Sequence, residues 1–79
     1  MKRKETALSA CVRKTLSAYF DQLDGEKPTA LYDLVIKNVE RPLLEVVLEY
    51  AQGNQTKAAE ALGVNRNTLR KKMQECGLR

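Results

Sequence analysis

The sequence predicts an all-α fold with four helices per subunit, in which two dimerisation helices precede a C-terminal helix-turn-helix and two subunits intertwine as a homodimer. Three observations support this prediction. Apolar residues recur at steps of three and four along two long segments, glycines separate the segments, and the whole excess of positive charge lies in the last third. A chain of 79 residues forms one small domain with a marginal core, so a second subunit is the expected source of further stability.

The composition argues against catalysis and against a metal site. The sequence contains no histidine and two cysteines, Cys11 and Cys76, which are far apart in the chain. Nucleophilic pairs and common zinc sites need histidine or clustered cysteines, and the glycine-rich phosphate-binding patterns are absent as well. We therefore expect no enzymatic activity, no cofactor and no metal, and we expect reduced thiols in a cytoplasmic protein. No apolar run reaches the roughly 18 residues of a membrane span.

The first helix is predicted from about Ala7 to Leu23, after a disordered, charged tail at residues 1–6. It ends at Asp24 and Gly25, where a glycine can adopt the left-handed conformation of a helix C-cap. The apolar residues of this segment fall on one stripe of a helix. They are Leu8, Val12, Leu16, Tyr19, Phe20 and Leu23.

The second helix is predicted to open at Pro28 with Thr29 as its N-cap, and Pro42 lies in its middle. A proline there either breaks the helix at Arg41 or kinks it, and we favour one kinked helix because the apolar spacing stays in phase on both sides. The two helices carry more apolar surface than a helical hairpin can bury. An ordinary three- or four-helix core could cover it, but the short chain favours intertwining with a second copy. The residues expected at that subunit contact are Leu16, Tyr19, Phe20, Leu34, Val35, Leu43, Val46 and Val47.

Residues 53–79 have the organisation of a helix-turn-helix. Gly53 suits the end of the second helix, and Asn54 or Thr56 can cap the helix that follows. Small residues let two helices approach, a glycine allows the sharp turn, and apolar residues one helical turn apart hold the final helix on the core. These residues are Ala58 and Ala59, then Gly63 and Val64, then Leu69 and Met73.

The positive charge coincides with this motif. Residues 1–52 contain eight basic and eight acidic side chains, whereas residues 53–79 contain six basic and two acidic ones. A basic helix after a tight turn is typical of a helix-turn-helix that reads DNA. One position departs from the usual pattern, since Lys72 stands where the last apolar residue of the motif is expected. With the apolar side held on the core, the polar residues left on or near the other faces are Asn65, Arg66, Thr68, Arg70, Lys71 and Lys72.

Six short segments also carry a resemblance to a known family. In the helix-turn-helix they are GNQTKAA at 53–59, LGVNR at 62–66 and TLRKK at 68–72, and upstream they are YFDQL at 19–23, LYDLV at 31–35 and VERPLLE at 39–45. Together they resemble the Fis family of bacterial nucleoid proteins over about residues 11–79. The C-terminal domains of enhancer-binding activators resemble the first three segments alone, so the upstream segments and the free-standing chain favour the Fis family.

The resemblance implies a homodimer that regulates transcription and bends DNA. In that family the two recognition helices lie closer together than one turn of straight DNA, so the DNA bends and degenerate sites are read through its shape. The resemblance further implies that Asn65 and Arg66 contact base edges in the major groove, with Arg66 paired to guanine. Phosphate contacts that set the register are implied for Asn54, Thr56, Lys57, Thr68, Arg70, Lys71 and Lys72.

The chain departs from well-known members of that family in two places. They carry an N-terminal β-hairpin used with DNA recombinases, whereas too few residues precede the first helix here, so a recombinase partnership is not expected. They also have further basic residues where this chain has Gln74 and Glu75, so weaker wrapping of flanking DNA is expected, with Arg79 compensating in part. Two alternatives stay open: the DNA-binding domain of an enhancer-binding activator, and a helical protein-interaction module that does not contact nucleic acid.

Overall fold

The computed structural model describes residues 4–78, which form four α-helices and no β-strand. The helices are α1 (Ala7–Leu23), α2 (Leu31–Tyr50), α3 (Gln55–Leu62) and α4 (Arg66–Glu75). The prediction of an all-α chain with four helices is confirmed. The chain divides into two compact units, Met1–Ala30 and Leu31–Arg79, so that α2 belongs with the two helices of the helix-turn-helix. The first three residues of the predicted tail, and Arg79, lie outside the described residues.

The first unit contains α1, which begins with a capping box. The Thr6 hydroxyl accepts a hydrogen bond from the Ser9 N–H at 3.0 Å, and the Ser9 hydroxyl accepts one from the Thr6 N–H at 3.0 Å. Glu5 pairs with Arg13, with 3.0 Å between the carboxylate and the guanidinium. Glu5 and Thr6, which the sequence places in a tail, therefore contribute to the start of α1. No residue of α1 is fully buried, so its apolar stripe forms no closed core of its own.

In the second unit, α2 runs through Pro42 as one helix, as the in-phase apolar spacing predicts. It begins at Leu31, directly after Ala30, whose φ of 52° lies in the left-handed region. The prediction that Thr29 caps this helix was therefore wrong. Proline followed by threonine has the composition of a helix start, but a left-handed residue separates that pair from the first helical residue.

A small apolar core joins α2, α3 and α4. Two alanines of α3 are buried in it, which lets this short helix lie close to its neighbours, as predicted. Val47, a residue expected at the subunit contact, packs against this core. The buried side chains are Leu44, Ala51, Ala58, Ala59, Leu69 and Met73.

The other side of α2 carries apolar residues that lie in the open. Leu43, Val46 and Tyr50 follow one another at steps of three and four residues, which places them on one face, and all three are exposed, Val46 to 64%. We call these three residues the free face of α2. The helix is thus apolar on two sides, one that holds the helix-turn-helix and one that meets solvent in the single chain.

Candidate nucleic-acid interface

A turn at residues 63–65 joins α3 to α4 and sets their relative direction. Gly63 adopts a φ of 79°, and its N–H donates to the Ala59 carbonyl at 2.9 Å. The Val64 N–H donates to the same carbonyl at 3.0 Å, and the Val64 side chain packs against the core. A Cβ on Gly63 would meet nothing within 4 Å, so the left-handed backbone, not a lack of space, accounts for glycine at this position. The predicted roles of Gly63 and Val64 are confirmed.

Two asparagines cap the helices of the motif. The Asn54 side-chain oxygen accepts a hydrogen bond from the Lys57 N–H at 3.1 Å, which caps α3. The Asn65 side-chain oxygen accepts one from the Thr68 N–H at 2.8 Å, which caps α4. The sequence predicts Asn54 as one of two candidates for the first cap, but for Asn65 it predicts only a contact with DNA. Since a cap occupies only the oxygen of the carboxamide, the side-chain NH₂ group of Asn65 is left as a donor at the start of α4.

The buried and the exposed residues of α4 differ in chemistry. Leu69 and Met73 are buried and hold the helix on the core. Arg66, Arg70 and Lys71 are exposed, and none of these three cations forms an ion pair with a described residue. The helix α4 therefore presents three positive charges to solvent, spaced along its length.

The first turn of α3 lies next to the end of α2. Thr56 and Lys57 are exposed there, and the Lys57 ammonium lies 5.3 Å from the centre of the Tyr50 ring. This distance is within the range of a cation–π contact, which keeps the ammonium over the end of α2 while leaving it accessible. The predicted DNA-contacting residues thus lie on α3, on α4 and at their caps, all within one compact unit.

Lys72 is placed differently from the other cations. Its ammonium lies 2.7 Å from a carboxylate oxygen of Glu40 on α2. The hydrogen bond from Glu40, and then its negative charge, raise the pKa of Lys72 above the ordinary value for lysine, against the opposing effect of partial burial. Beside this pair, the Arg41 guanidinium donates to the Cys76 carbonyl at the end of α4. Glu40 and Arg41 were not predicted from the sequence, although Lys72 at an apolar position of the motif was a signal that its side chain turns inward.

The predicted subunit-contact residues are divided between the two units. Those of α1 are half-buried or exposed, and those of α2 are half-buried or exposed as well. The α1 residues are Leu16, Tyr19 and Phe20, and the α2 residues are Leu34, Val35, Leu43, Val46 and Val47.

The described part of the chain contains no group of three or more acidic or cysteine side chains placed to hold a metal ion. Within residues 4–78, no helix combines the length and the apolar character that crossing a membrane would require.

Comparison with known proteins, by a family model and by pairwise alignment, identifies one family. Residues 35–75 match the family model described as bacterial regulatory protein, Fis family. The chain is 54% identical over 71 residues to a putative Fis-like DNA-binding protein of Ralstonia nicotianae, an alignment that covers 90% of this chain and 92% of that protein. It is 52% identical over 67 residues to the DNA-binding protein Fis of Psychromonas ingrahamii, covering 85% of this chain and 68% of that protein. A putative Fis-like DNA-binding protein of Neisseria meningitidis serogroup A is 51% identical over 71 residues, with 90% of each chain covered.

The family model covers most of α2 and all of α3 and α4, and the pairwise alignments extend over most of the chain. A family of regulatory proteins agrees with the expectation that this chain is not an enzyme. With a matching family model and relatives at about half identity along nearly the whole length, the chain belongs to the Fis family of bacterial regulatory proteins.

Proposed function

We propose that this chain is a homodimeric DNA-binding protein that bends the DNA it binds and regulates transcription at the bacterial nucleoid, in the cytoplasm. The observation that carries the proposal is the exposed positive charge of α4. Its three exposed cations lie on the last helix of a helix-turn-helix, and the buried Leu69 and Met73 hold that helix on the core. A helix that is held on the core by buried residues and carries exposed cations has the form that major-groove recognition requires.

The residues at the start of α4 are proposed to read bases. Asn65 and Arg66 lie at its N-terminal end, the part of a recognition helix that reaches furthest into the groove. Arg66 is exposed and can donate two parallel hydrogen bonds to the O6 and N7 atoms of a guanine. Arg70 and Lys71, further along the helix, are proposed to contact phosphates. Lys72 is the exception among the basic residues of α4, because its ammonium is paired with Glu40.

The start of α3 is proposed to hold the DNA backbone. Asn54, Thr56 and Lys57 lie at or within the first turn of this helix, where backbone N–H groups and the helix dipole favour an anion. The Lys57 ammonium adds a positive charge at the same end. Such contacts position the protein on the duplex and carry no sequence information of their own.

The free face of α2 is proposed to meet a second copy of the chain, together with Leu16, Tyr19 and Phe20 of α1. Leu43, Val46 and Tyr50 are large apolar residues exposed in the single chain, and Phe20 of α1 is exposed as well. A chain this short gains stability by covering such surface with a partner. Two copies carry two recognition helices, and the resemblance to the Fis family implies that their spacing requires bent DNA.

The salt dependence of DNA affinity tests the proposal. A protein that neutralises six to ten phosphates loses on the order of 10³–10⁵ in affinity between about 50 and 200 mM salt. We expect a loss of this size for the wild-type chain on duplex DNA, measured by fluorescence anisotropy. The enhancer-binding alternative shares this dependence, whereas a protein-interaction module would show no salt-dependent DNA affinity. Mobility shifts with circularly permuted fragments would then measure the bend.

A pair of substitutions on α4 separates base reading from phosphate contact. Arg66→Ala is expected to lower discrimination between good and poor sites by about 1–3 kcal/mol, since it removes a bidentate contact to a base. Lys71→Ala is expected to weaken binding to both kinds of site about equally. Titration of each variant against one preferred and one random duplex measures the two effects. An unchanged ratio of affinities in Arg66→Ala would mean that this residue is a phosphate contact as well.

A further inference from the structure

One ion pair joins the helix proposed to read DNA to the helix proposed to form the dimer. The Lys72 ammonium of α4 lies 2.7 Å from the Glu40 carboxylate of α2, and 32 residues separate the two in the chain. The other ion pairs among residues 4–78 are local, Arg13 with Glu5 at the start of α1 and Arg41 with Glu45 within α2. The pair between Glu40 and Lys72 is also the most sheltered of them, with side chains 21% and 38% exposed.

The direction of the Lys72 side chain follows from its place on α4. It comes three residues after Leu69 and directly before Met73, so it stands at the edge of the buried side of the helix. Lys72 lines a small apolar hollow with Leu44, Val64 and Leu69, as its aliphatic stem allows. The ammonium therefore emerges towards α2, while the neighbouring Lys71 is exposed on the outer side.

A second polar contact acts on the same end of α4. Arg41 donates from its guanidinium to the carbonyl of Cys76, the C-cap residue, and is itself paired with Glu45 at 3.2 Å. The last carbonyls of a helix have no partner within the helix, and a cation there also meets the negative end of the helix dipole. Two successive residues of α2 thus hold the C-terminal half of α4 by its side chain and by its backbone.

We infer that Glu40 and Arg41 form a clamp that orients α4, and that Glu40 keeps Lys72 away from the DNA backbone. Lys72 is then a positioning residue, and the phosphates bound by α4 are contacted by its other cations. The inference rests on the proposed DNA-binding function and deepens it, because it states which lysine of the adjacent pair 71–72 contributes to the counterions released on binding.

The slope of log affinity against log salt tests this assignment. Each lost phosphate contact lowers the magnitude of this slope by about 0.9. For a dimer that loses one contact in each subunit, the magnitude falls by about 1.8. Lys71→Met is expected to show this loss. Lys72→Met, which keeps the aliphatic stem in the hollow, is expected to keep the wild-type slope. Equal losses of slope in the two variants would overturn the inference.

Removal of the carboxylate gives the reverse test. Glu40→Gln frees the Lys72 ammonium, so the slope is expected to steepen by up to about 1.8, and this change is expected to vanish in a Lys72→Met background. Glu60→Gln is the matched control, since Glu60 is exposed on α3 and forms no ion pair with a described residue. A slope change in Glu40→Gln that persists without Lys72, or that Glu60→Gln reproduces, would contradict the inference.

Thermal unfolding without DNA separates failure of the clamp from failure of the proposed function. Glu40→Gln and Lys72→Met are each expected to lower the unfolding midpoint, and the double variant is expected to lower it by no more than one of them alone. Fully additive shifts would mean that the two side chains do not act together. A wild-type DNA affinity that does not change with salt concentration would overturn the proposed function. If the wild-type affinity depends on salt but Lys71→Met and Lys72→Met lower the slope equally, only the clamp is overturned.

Discussion

Val46→Asp is expected to dissociate the proposed dimer and to weaken DNA binding by about 10²–10⁴, the loss that follows when two linked binding sites become separate. Val46 lies in the middle of the free face of α2 and is 64% exposed in the single chain. An aspartate there costs little in a monomer, but in an apolar interface it would be an unpaired buried charge. Sedimentation at micromolar concentration measures the assembly, and titration of duplex DNA measures the affinity.

Val46→Lys is the matched control for the sign of the charge. A lysine would favour DNA binding if charge alone mattered, yet it is expected to dissociate the dimer as aspartate does. The unfolding midpoint of the wild type should rise with protein concentration, as it does for a dimer, and that of both variants should not. A Val46→Lys protein that remains dimeric and binds DNA like the wild type would show that the free face is not the subunit contact.

Leu69→Ala is expected to lower the free energy of unfolding by about 2–5 kcal/mol, the cost of removing a buried leucine side chain and leaving a cavity. Leu69 is 0% exposed and belongs to a core of six buried residues, two of them on α4. Small domains are stable by only about 5–15 kcal/mol, so the loss is a large share of the total. Because Leu69 holds α4 on the core, DNA affinity is expected to fall with stability.

Leu8→Ala makes the same chemical change at an exposed position and is the control. Leu8 is 65% exposed on α1, and surface substitutions of this kind usually change stability by less than about 0.5 kcal/mol. Urea unfolding followed by far-ultraviolet circular dichroism, at one fixed protein concentration, measures both variants. Similar losses for the two leucines would mean that burial of Leu69 in this core does not dominate the stability of the unit.

Local features of the fold followed from the sequence because each depends on residues close together in the chain. Periodic apolar residues predict α1 and α2, and the continuous spacing across Pro42 predicts one helix where the proline alone suggests a break. The turn at Gly63 was predictable since few other residues adopt its backbone conformation. The start of α2 was not, because Thr29 has the chemistry of a cap but does not directly precede the helix.

The features that the sequence left open depend on which surfaces meet. Both sides of α2 are apolar, so periodicity alone does not say that Val47 packs on the helix-turn-helix core while Val46 lies in the open. The partner of Lys72 is 32 residues away in the chain, and several other carboxylates were equally available by sequence. The resemblance implies the same role for Lys71 and Lys72, but in the structure only Lys72 is paired with a carboxylate of α2.

Because α2 is apolar on two sides, this single helix can act as a rigid spacer. The surface proposed to meet a second subunit and the surface that holds the helix-turn-helix belong to the same helix, with no linker or hinge between them. They differ only in their angular position about the helix axis. In the proposed dimer, the distance between the two recognition helices is then set by the angular relation of the two surfaces about the α2 axis, which changes by about 100° for every residue inserted or removed. In that dimer the number of residues in α2, as well as their chemistry, is tied to the geometry of the bound DNA.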